Sequence, residues 1–201
     1  FLALCSKNLT DCAVTPKEHF KIMLYDDGAG AKTFASHGIP AEVGFQPDLV
    51  WVKSRGSGYE HNLTDSERGV TKAISSDATA YETTDSTGLT AFGADGFTVG
   101  ADNNYDDQTG DGMIAWCWKG GSDASGTTGG TGTGKAYTAS YNASAGFSIV
   151  SYLGNGSAGH TIPHHLGIKP QLIFVKRRPT GNDSWAVYNE SIGATKYMNL
   201  D

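Results

Sequence analysis

The sequence predicts an all-β protein: an antiparallel β-sandwich of lectin-like or jelly-roll-like character, built from a module that occurs twice with the second copy truncated. Three observations predict it: a composition hostile to helices, short apolar runs bounded by turn residues, and blocks of residues that recur in order. The 201 residues include 27 Gly and many Ser, Thr, Asn and Asp, against 15 Lys and Arg. Glycine costs about 1 kcal/mol per helical position relative to alanine, and Thr, Asn and Asp side chains compete for the helix's own hydrogen bonds. Aromatic residues make up 10% and charged residues 18%, so the chain carries enough apolar material to fold and is not dominated by charge.

The repeat is read directly from the residues. Phe20-Lys-Ile22-Met-Leu-Tyr25 matches Phe147-Ser-Ile149-Val-Ser-Tyr152, and the turn Asp27-Gly-Ala-Gly lines up loosely with Gly154-Asn-Gly156. Gly44-Phe-Gln-Pro47-Asp-Leu49-Val-Trp-Val52-Lys53-Ser-Arg55 matches Gly167-Ile-Lys-Pro170-Gln-Leu172-Ile-Phe-Val175-Lys176-Arg-Arg178. Gly69-Val-Thr71-Lys72 matches Gly193-Ala-Thr195-Lys196. The three blocks keep their order at offsets of 127, 123 and 124 residues, with the differences falling in loops, as insertions do.

Each block reads as a strand. From Leu49 to Val52 apolar residues stand on both faces, and charges come only at Lys53 and Arg55, which predicts a strand covered on both sides that exits into solvent. Pro47 and Pro170 stand at strand starts, where a missing N–H is tolerated. Asp95-Gly96 is a turn signal before Phe97-Thr-Val99, and Met113–Trp118 is a further apolar strand. Ser66–Ala73 is the one stretch with the makings of a short helix.

The organisation that follows is a connecting segment at 1–17, a first β module at 18–119, a Gly/Thr/Ser-rich linker at 120–134 and an incomplete second module at 135–201. The linker composition also fits a long loop within one sandwich. The second copy has no counterpart of the Phe97 strand or of Trp116-Cys-Trp118-Lys119, which would leave an open sheet edge, so a continuation beyond Asp201 is expected. The opening at Phe1 likewise reads as a fragment or a processed product.

Charge and segment content narrow the function classes. A formal charge of −6 argues against nucleic-acid binding, which needs a concentrated basic footprint. No run of about 18 apolar residues exists to cross a membrane, and no basic region followed by an apolar core marks a signal peptide. Cys5 and Cys12 are close enough in sequence to close a loop, although spacing alone does not establish a bridge; Cys117, between two tryptophans, reads as a small buried hydrophobe. No Cys/His spacing of a zinc site occurs.

A strand ending in tyrosine, then Gly44-Phe-Gln-Pro-Asp48 and Val50-Trp-Val-Lys-Ser-Arg55, is similar to a tandem β-rich module of virion proteins from marine and cyanobacterial tailed phages, proteins of the tail-fibre kind. Asp65-Ser-Glu-Arg68-Gly69, Asp95-Gly-Phe97 and Ala115-Trp-Cys-Trp-Lys119 extend the likeness over nearly all of 18–119. The opening Phe1-Leu-Ala-Leu-Cys5 resembles the segment that follows a SPRY-like β-sandwich in some of those proteins. The second copy departs from the pattern at Gln171, Phe174 and Asn189-Glu-Ser-Ile192, losing the Asp/Arg pair. The resemblance implies a place on a particle more than an activity.

Several constellations carry chemistry on paper, each beside a plainer reading. Asp102, Asn104, Asp106 and Asp111 offer oxygen ligands for Ca²⁺, yet Asp107 stands where an EF-hand loop needs Gly and Met113 where it needs Glu, so a solvated turn is the plainer account. His160, His164 and His165 gather around Pro163 and are metal ligands by type, but only His37 answers them in the first copy and no carboxylate or cysteine stands nearby. Asp65 and Arg68 suit a saccharide contact or a catalytic carboxylate with its partner, and equally a salt bridge that caps a turn. Trp51, Trp116, Trp118 and Trp185 suit sugar stacking, with core packing as the default. Neither paired carboxylates alternating along a strand nor a G-x-S-x-G elbow is present, so no catalytic residue is assigned. The N-x-[ST] matches at Asn8, Asn62, Asn142, Asn155, Asn182 and Asn189 are expected by chance in this composition.

The expectation is therefore a non-enzymatic structural component at the surface of a phage particle (tail fibre, appendage or capsid surface), homo-oligomeric, contacting other virion proteins and a host-surface glycan. It has no cofactor beyond the Ca²⁺ alternative, no nucleic-acid partner and no membrane insertion. A carbohydrate-binding bacterial adhesin is the runner-up, and a polysaccharide depolymerase is a more distant third.

Overall fold

A computed structural model describes residues 15–26, the backbone of 32–33, and residues 43–107 and 112–201. The Cys5/Cys12 pair, the Asp27–Gly30 turn, His37 and Asp111 lie outside the described residues. Within them the protein is all-β, with several antiparallel sheets and two single-turn 3-10 segments, Pro16–Glu18 and Glu190–Ile192.

The main sheet has six strands. In chain order these are β1 (Phe20–Tyr25), β3 (Leu49–Ser54), β4 (Asn62–Asp65), β5 (Lys72–Ser75), β6 (Thr83–Thr84) and β9 (Met113–Trp118), in the spatial order β1-β9-β3-β4-β5-β6. A second, three-stranded sheet of β2 (Lys32–Thr33), β8 (Gly96–Val99) and β7 (Leu89–Gly93) lies over it. The Asp95-Gly96 signal falls in the β7–β8 hairpin, where Gly93 pairs with Gly96. Ser66–Ala73, the candidate helix, is instead two turns leading into β5. Asp65 bonds the first turn and Thr71 takes a left-handed φ of 64°, so local side-chain bonding displaces the helix.

Period-two alternation decides the core. On β9, Met113, Ala115 and Cys117 are fully buried, while Ile114, Trp116 and Trp118 point the other way and are half-buried. Register carries the same division across the sheet: Met23, Ala115 and Val52 share one row, and Cys117 and Val50 another. Phe97, Val99 and Leu89 close over them from the second sheet, together with Val43, Phe45 and Tyr105. Full burial of a side chain the size of Val52 contributes about 1.5–3 kcal/mol. Leu49–Val52 is thus covered completely on one face only, because Leu49 and Trp51 lie on the half-buried outer face.

That outer face carries the tryptophans. Trp51 lies 5.8 Å from Trp116 and 6.4 Å from Trp118 between ring centres, and Trp118 packs against Phe20 at 5.0 Å and Phe147 at 6.0 Å. Trp116 and Trp118, expected by default in the core, instead pack in this half-buried aromatic cluster on the other face. The small side chains of β9 point inward because a second sheet must approach that face. The indoles cover the opposite side.

The stretch read as a linker at 120–134 is not an open tether. Ser122–Thr127 forms β10, paired over its full length with β12 (Ala136–Asn142), and Gly129–Gly130 forms β11, paired with β14 (His160–Thr161). Its polar composition suits an exposed strand, and β12 supplies the buried side chains, Tyr137 and Ala139 on one face and Ser140 on the other. Gly120 is required at the exit from β9, since a Cβ there would collide with Ser140. β13 (Phe147–Tyr152) completes the β10-β12-β13 sheet.

The duplication is reproduced in three dimensions. β15 (Leu172–Val175), β16 (Ala186–Asn189) and β17 (Met198–Asn199) form a meander like β3-β4-β5. Leu49 pairs with Asp65 and Val52 with Asn62; their counterparts Leu172 and Val175 pair with Asn189 and Ala186. Asn62 pairs with Ser75, and Ala186 with Asn199. A slip of one residue would invert every side chain, so shared register means shared faces.

Burial does not follow. Val50 and Val52 are 0% exposed, whereas Ile173 and Val175 are 40% and 41% exposed. Val52→Ala is expected to cost about 2 kcal/mol or more, and the equivalent Val175→Ala less than about 1 kcal/mol, by urea denaturation. Burial also pushes the Cys117 thiol up to about 12. In a Cys5→Ser, Cys12→Ser background it should stay unreactive to a thiol reagent at pH 8 until the protein is unfolded.

Candidate functional site

The first module folds a small acidic pocket of about 170 Å³ between β4, β5 and the loop before Tyr105. Glu60, Asp85 and Asp102 bring carboxylates to it, Asn62, Ser75 and Asn104 bring smaller polar groups, and Tyr81 and Tyr105 bring rings. Local bonding fixes each acid by one oxygen. Ser75 donates to Glu60 Oε2, Thr87 donates to Asp85 Oδ1 from its amide and its hydroxyl at 2.9 Å each, and Asn104 donates to Asp102 Oδ1 at 2.9 and 3.0 Å. None of these bonds engages Glu60 Oε1, Asp85 Oδ2 or Asp102 Oδ2. Tyr105 forms the floor, its hydroxyl 2.8 Å from that of Thr64. Burial pushes its phenol up to about 12, so it stays neutral and serves as a hydrogen-bonding wall rather than a base.

A pocket of this size is smaller than the roughly 300–1,000 Å³ usual for drug-sized ligands. Its chemistry suits a small polyhydroxylated group: carboxylates accept from hydroxyls, and Tyr81, 48% exposed, offers a ring beside them. Among the described residues no three His, Cys, Asp or Glu side chains converge in the manner of a metal site. Of the proposed Ca²⁺ ligands, Asp102, Asn104 and Asp106 are described, and they differ in surroundings. Asp102 and Asn104 line the pocket, Asp106 is 0% exposed inside the protein, and Asp107 beside it takes the Ser54 hydroxyl. Tyr105, Asp106 and Asp107 are all buried, so the described part of the loop is not a solvated turn throughout.

Asp65 and Arg68 form the turn-capping salt bridge. Asp65 Oδ1 accepts the Arg68 amide at 2.9 Å, and Oδ2 accepts Arg68 Nε at 2.5 Å, with both side chains nearly buried. Arg68 also donates to the Leu63 carbonyl at 2.7 Å and reaches Glu82 at 3.5 Å. Glu82 in turn accepts from Arg178 of the second copy at 2.9 and 3.2 Å. In the second copy Asn189 keeps the capping acceptor, bonding the Ser191 amide at 2.9 Å, without the guanidinium. The Asp/Arg pair therefore serves the joint between the modules.

The remaining candidates take structural places. His165 stacks on Tyr137 and Tyr141, His160 bonds Thr128 Oγ1 at 2.5 Å, and His164 Nδ1 accepts the Leu166 amide at 3.2 Å, so the three rings have separate partners. Trp185 donates its indole N–H to the Ser75 carbonyl at 2.8 Å, pinning the second module to the first. Asp48, singled out only as a point of drift, accepts the Gly120 and Gly121 amides at 2.8 and 3.0 Å, fixing the chain as it leaves β9. The side chains of Glu60, Glu82 and Asp48 meet partners well away in sequence, and no local pattern marks them, whereas that of Asp85 bonds Thr87 two residues on.

Arg68→Ala strands a buried carboxylate and is expected to cost about 3 kcal/mol or more by urea denaturation. Arg178→Ala, at the more exposed end of the chain of ion pairs, should cost about 1 kcal/mol.

No curated protein and no solved structure matches the chain. A family model does match, over residues 15–201, spanning both copies and the segment between them. The chain belongs to that family, DUF7483, described as a domain of unknown function.

Proposed function

We propose that the chain is a non-catalytic structural module on the exterior of a tailed-phage particle, in a tail fibre, an appendage or the capsid surface. One observation carries the structural half of this reading: two meanders hold the same register while their polar residues differ. Gln171 stands for Asp48, Asn189 for Asp65 and Ile192 for Arg68. What duplication has kept is the scaffold, and the polar groups that drifted serve turns and joints. The sequence resemblance to tail-fibre-like proteins supplies the particle.

The acidic pocket favours a second reading, in which the module binds a surface glycan as an adhesin would. Three carboxylates line it, each held through one oxygen and able to accept from a sugar's hydroxyls, with the exposed Tyr81 ring beside them.

Antibodies raised against the chain should decorate the outside of intact tailed-phage particles carrying this protein in immuno-electron microscopy. Unlabelled particles overturn the structural reading. On a glycan array, saturable binding lost in Tyr81→Ala supports the adhesin reading, and a blank array removes it. A fall in polysaccharide viscosity on adding the protein would contradict the non-catalytic assignment.

A further inference from the structure

In the first module β9 is inserted between β1 and β3, pairing along its whole length with both. The second module contains counterparts of both neighbours, β13 for β1 and β15 for β3, and each is the outermost strand of its sheet among the described residues. Because β15 pairs with β16 in the register of β3 with β4, the edge it leaves open is the edge that β3 gives to β9. That edge carries Ile173, Phe174 and Val175, each 38–41% exposed, where Val50 and Val52 are fully buried. Arg178, just past β15, reaches across to the Ser151 hydroxyl of β13 at 2.8 Å, so side chains bridge these two strands where no backbone pairing does.

We infer that the open edge of β15 is a docking site for an extended peptide segment of the β9 kind, which adds to it as an antiparallel strand. The segment has small or sulfur-bearing residues on one face and large apolar residues on the other, as in Met113-Ile-Ala-Trp-Cys-Trp118. An unpaired, apolar edge strand is a template for strand addition: backbone hydrogen bonds supply affinity and alternate side chains supply specificity. The first module shows what such an edge accepts in this fold. A second copy of this chain is a poor donor, since its β9 is paired on both edges and its Met113, Ala115 and Cys117 are 0% exposed. Lending that strand would dismantle the donor's own core. The inferred occupant is therefore a separate peptide segment of this alternating composition, not β9 of a second copy.

The test adds a synthetic peptide of residues 112–119, carrying Cys117→Ser, to the full 201-residue chain. Calorimetry should show saturable 1:1 binding, and amide exchange should slow at Leu172–Val175 while β3 and β9 keep their native protection. A control peptide with Ala115→Pro, which lacks a central N–H donor, should bind about tenfold more weakly or worse. No binding, equal binding of the proline peptide, or protection appearing elsewhere than β15 and β13 overturns the proposal. So does self-association of the chain alone that protects β15, which would make a second copy the occupant.

Discussion

The structure depends on one strand being gripped on both edges. β9 must return from far along the sequence to fit between β1 and β3, and its six residues satisfy two ladders at once. Loop closure over that distance is paid once, and the return is the burial of Met113, Ala115 and Cys117 against Phe97, Val99 and Tyr105. The chain's exit from β9 is held as firmly as the strand itself: Asp48, nearly buried, accepts two successive glycine amides there.

The two copies differ where that strand differs. Their meanders agree in register, and their turn caps agree in kind, with an Asp65 or Asn189 oxygen accepting a backbone amide. Gln171 replaces Asp48 at the position whose task is to hold the exit from β9, and apolar residues that are core in one copy are surface in the other. The second module is instead secured to the first by Trp185 on Ser75, Arg178 on Glu82 and Lys176 on the Ala78 carbonyl. These contacts join the second meander to the β5–β6 side of the main sheet, while β10 and β12 extend from the far end of β9. Neither half is an isolated bead on a tether.

Much of this was legible in the sequence. The repeat offsets anticipated the shared register, because side-chain period two leaves a duplicated strand little freedom to slip. Met113–Trp118 announced a strand, and Cys117 a buried hydrophobe. Which face of that strand was core was not legible, since Met, Ala and Cys alternate with Ile, Trp and Trp and both faces are apolar. The larger rings suggest the core, yet it is the smaller residues that the second sheet approaches. The strand at Ser122–Thr127 was hidden for a different reason: exposed on nearly every residue, it shows no alternation, and its pairing comes from β12. The acidic pocket was half visible through Asp102 and Asn104, whereas Glu60 and Asp85 join it only through the fold.

Native-state hydrogen exchange, read residue by residue, tests most directly whether double-edged pairing of β3 and single-edged pairing of β15 set the stability of the two halves. The account predicts that amides in β3 and β9 exchange only with global unfolding, while β15, identical in register to β3, exchanges far faster through local opening. Equal protection of β3 and β15 would contradict it, because β9 would then contribute nothing that the second meander lacks.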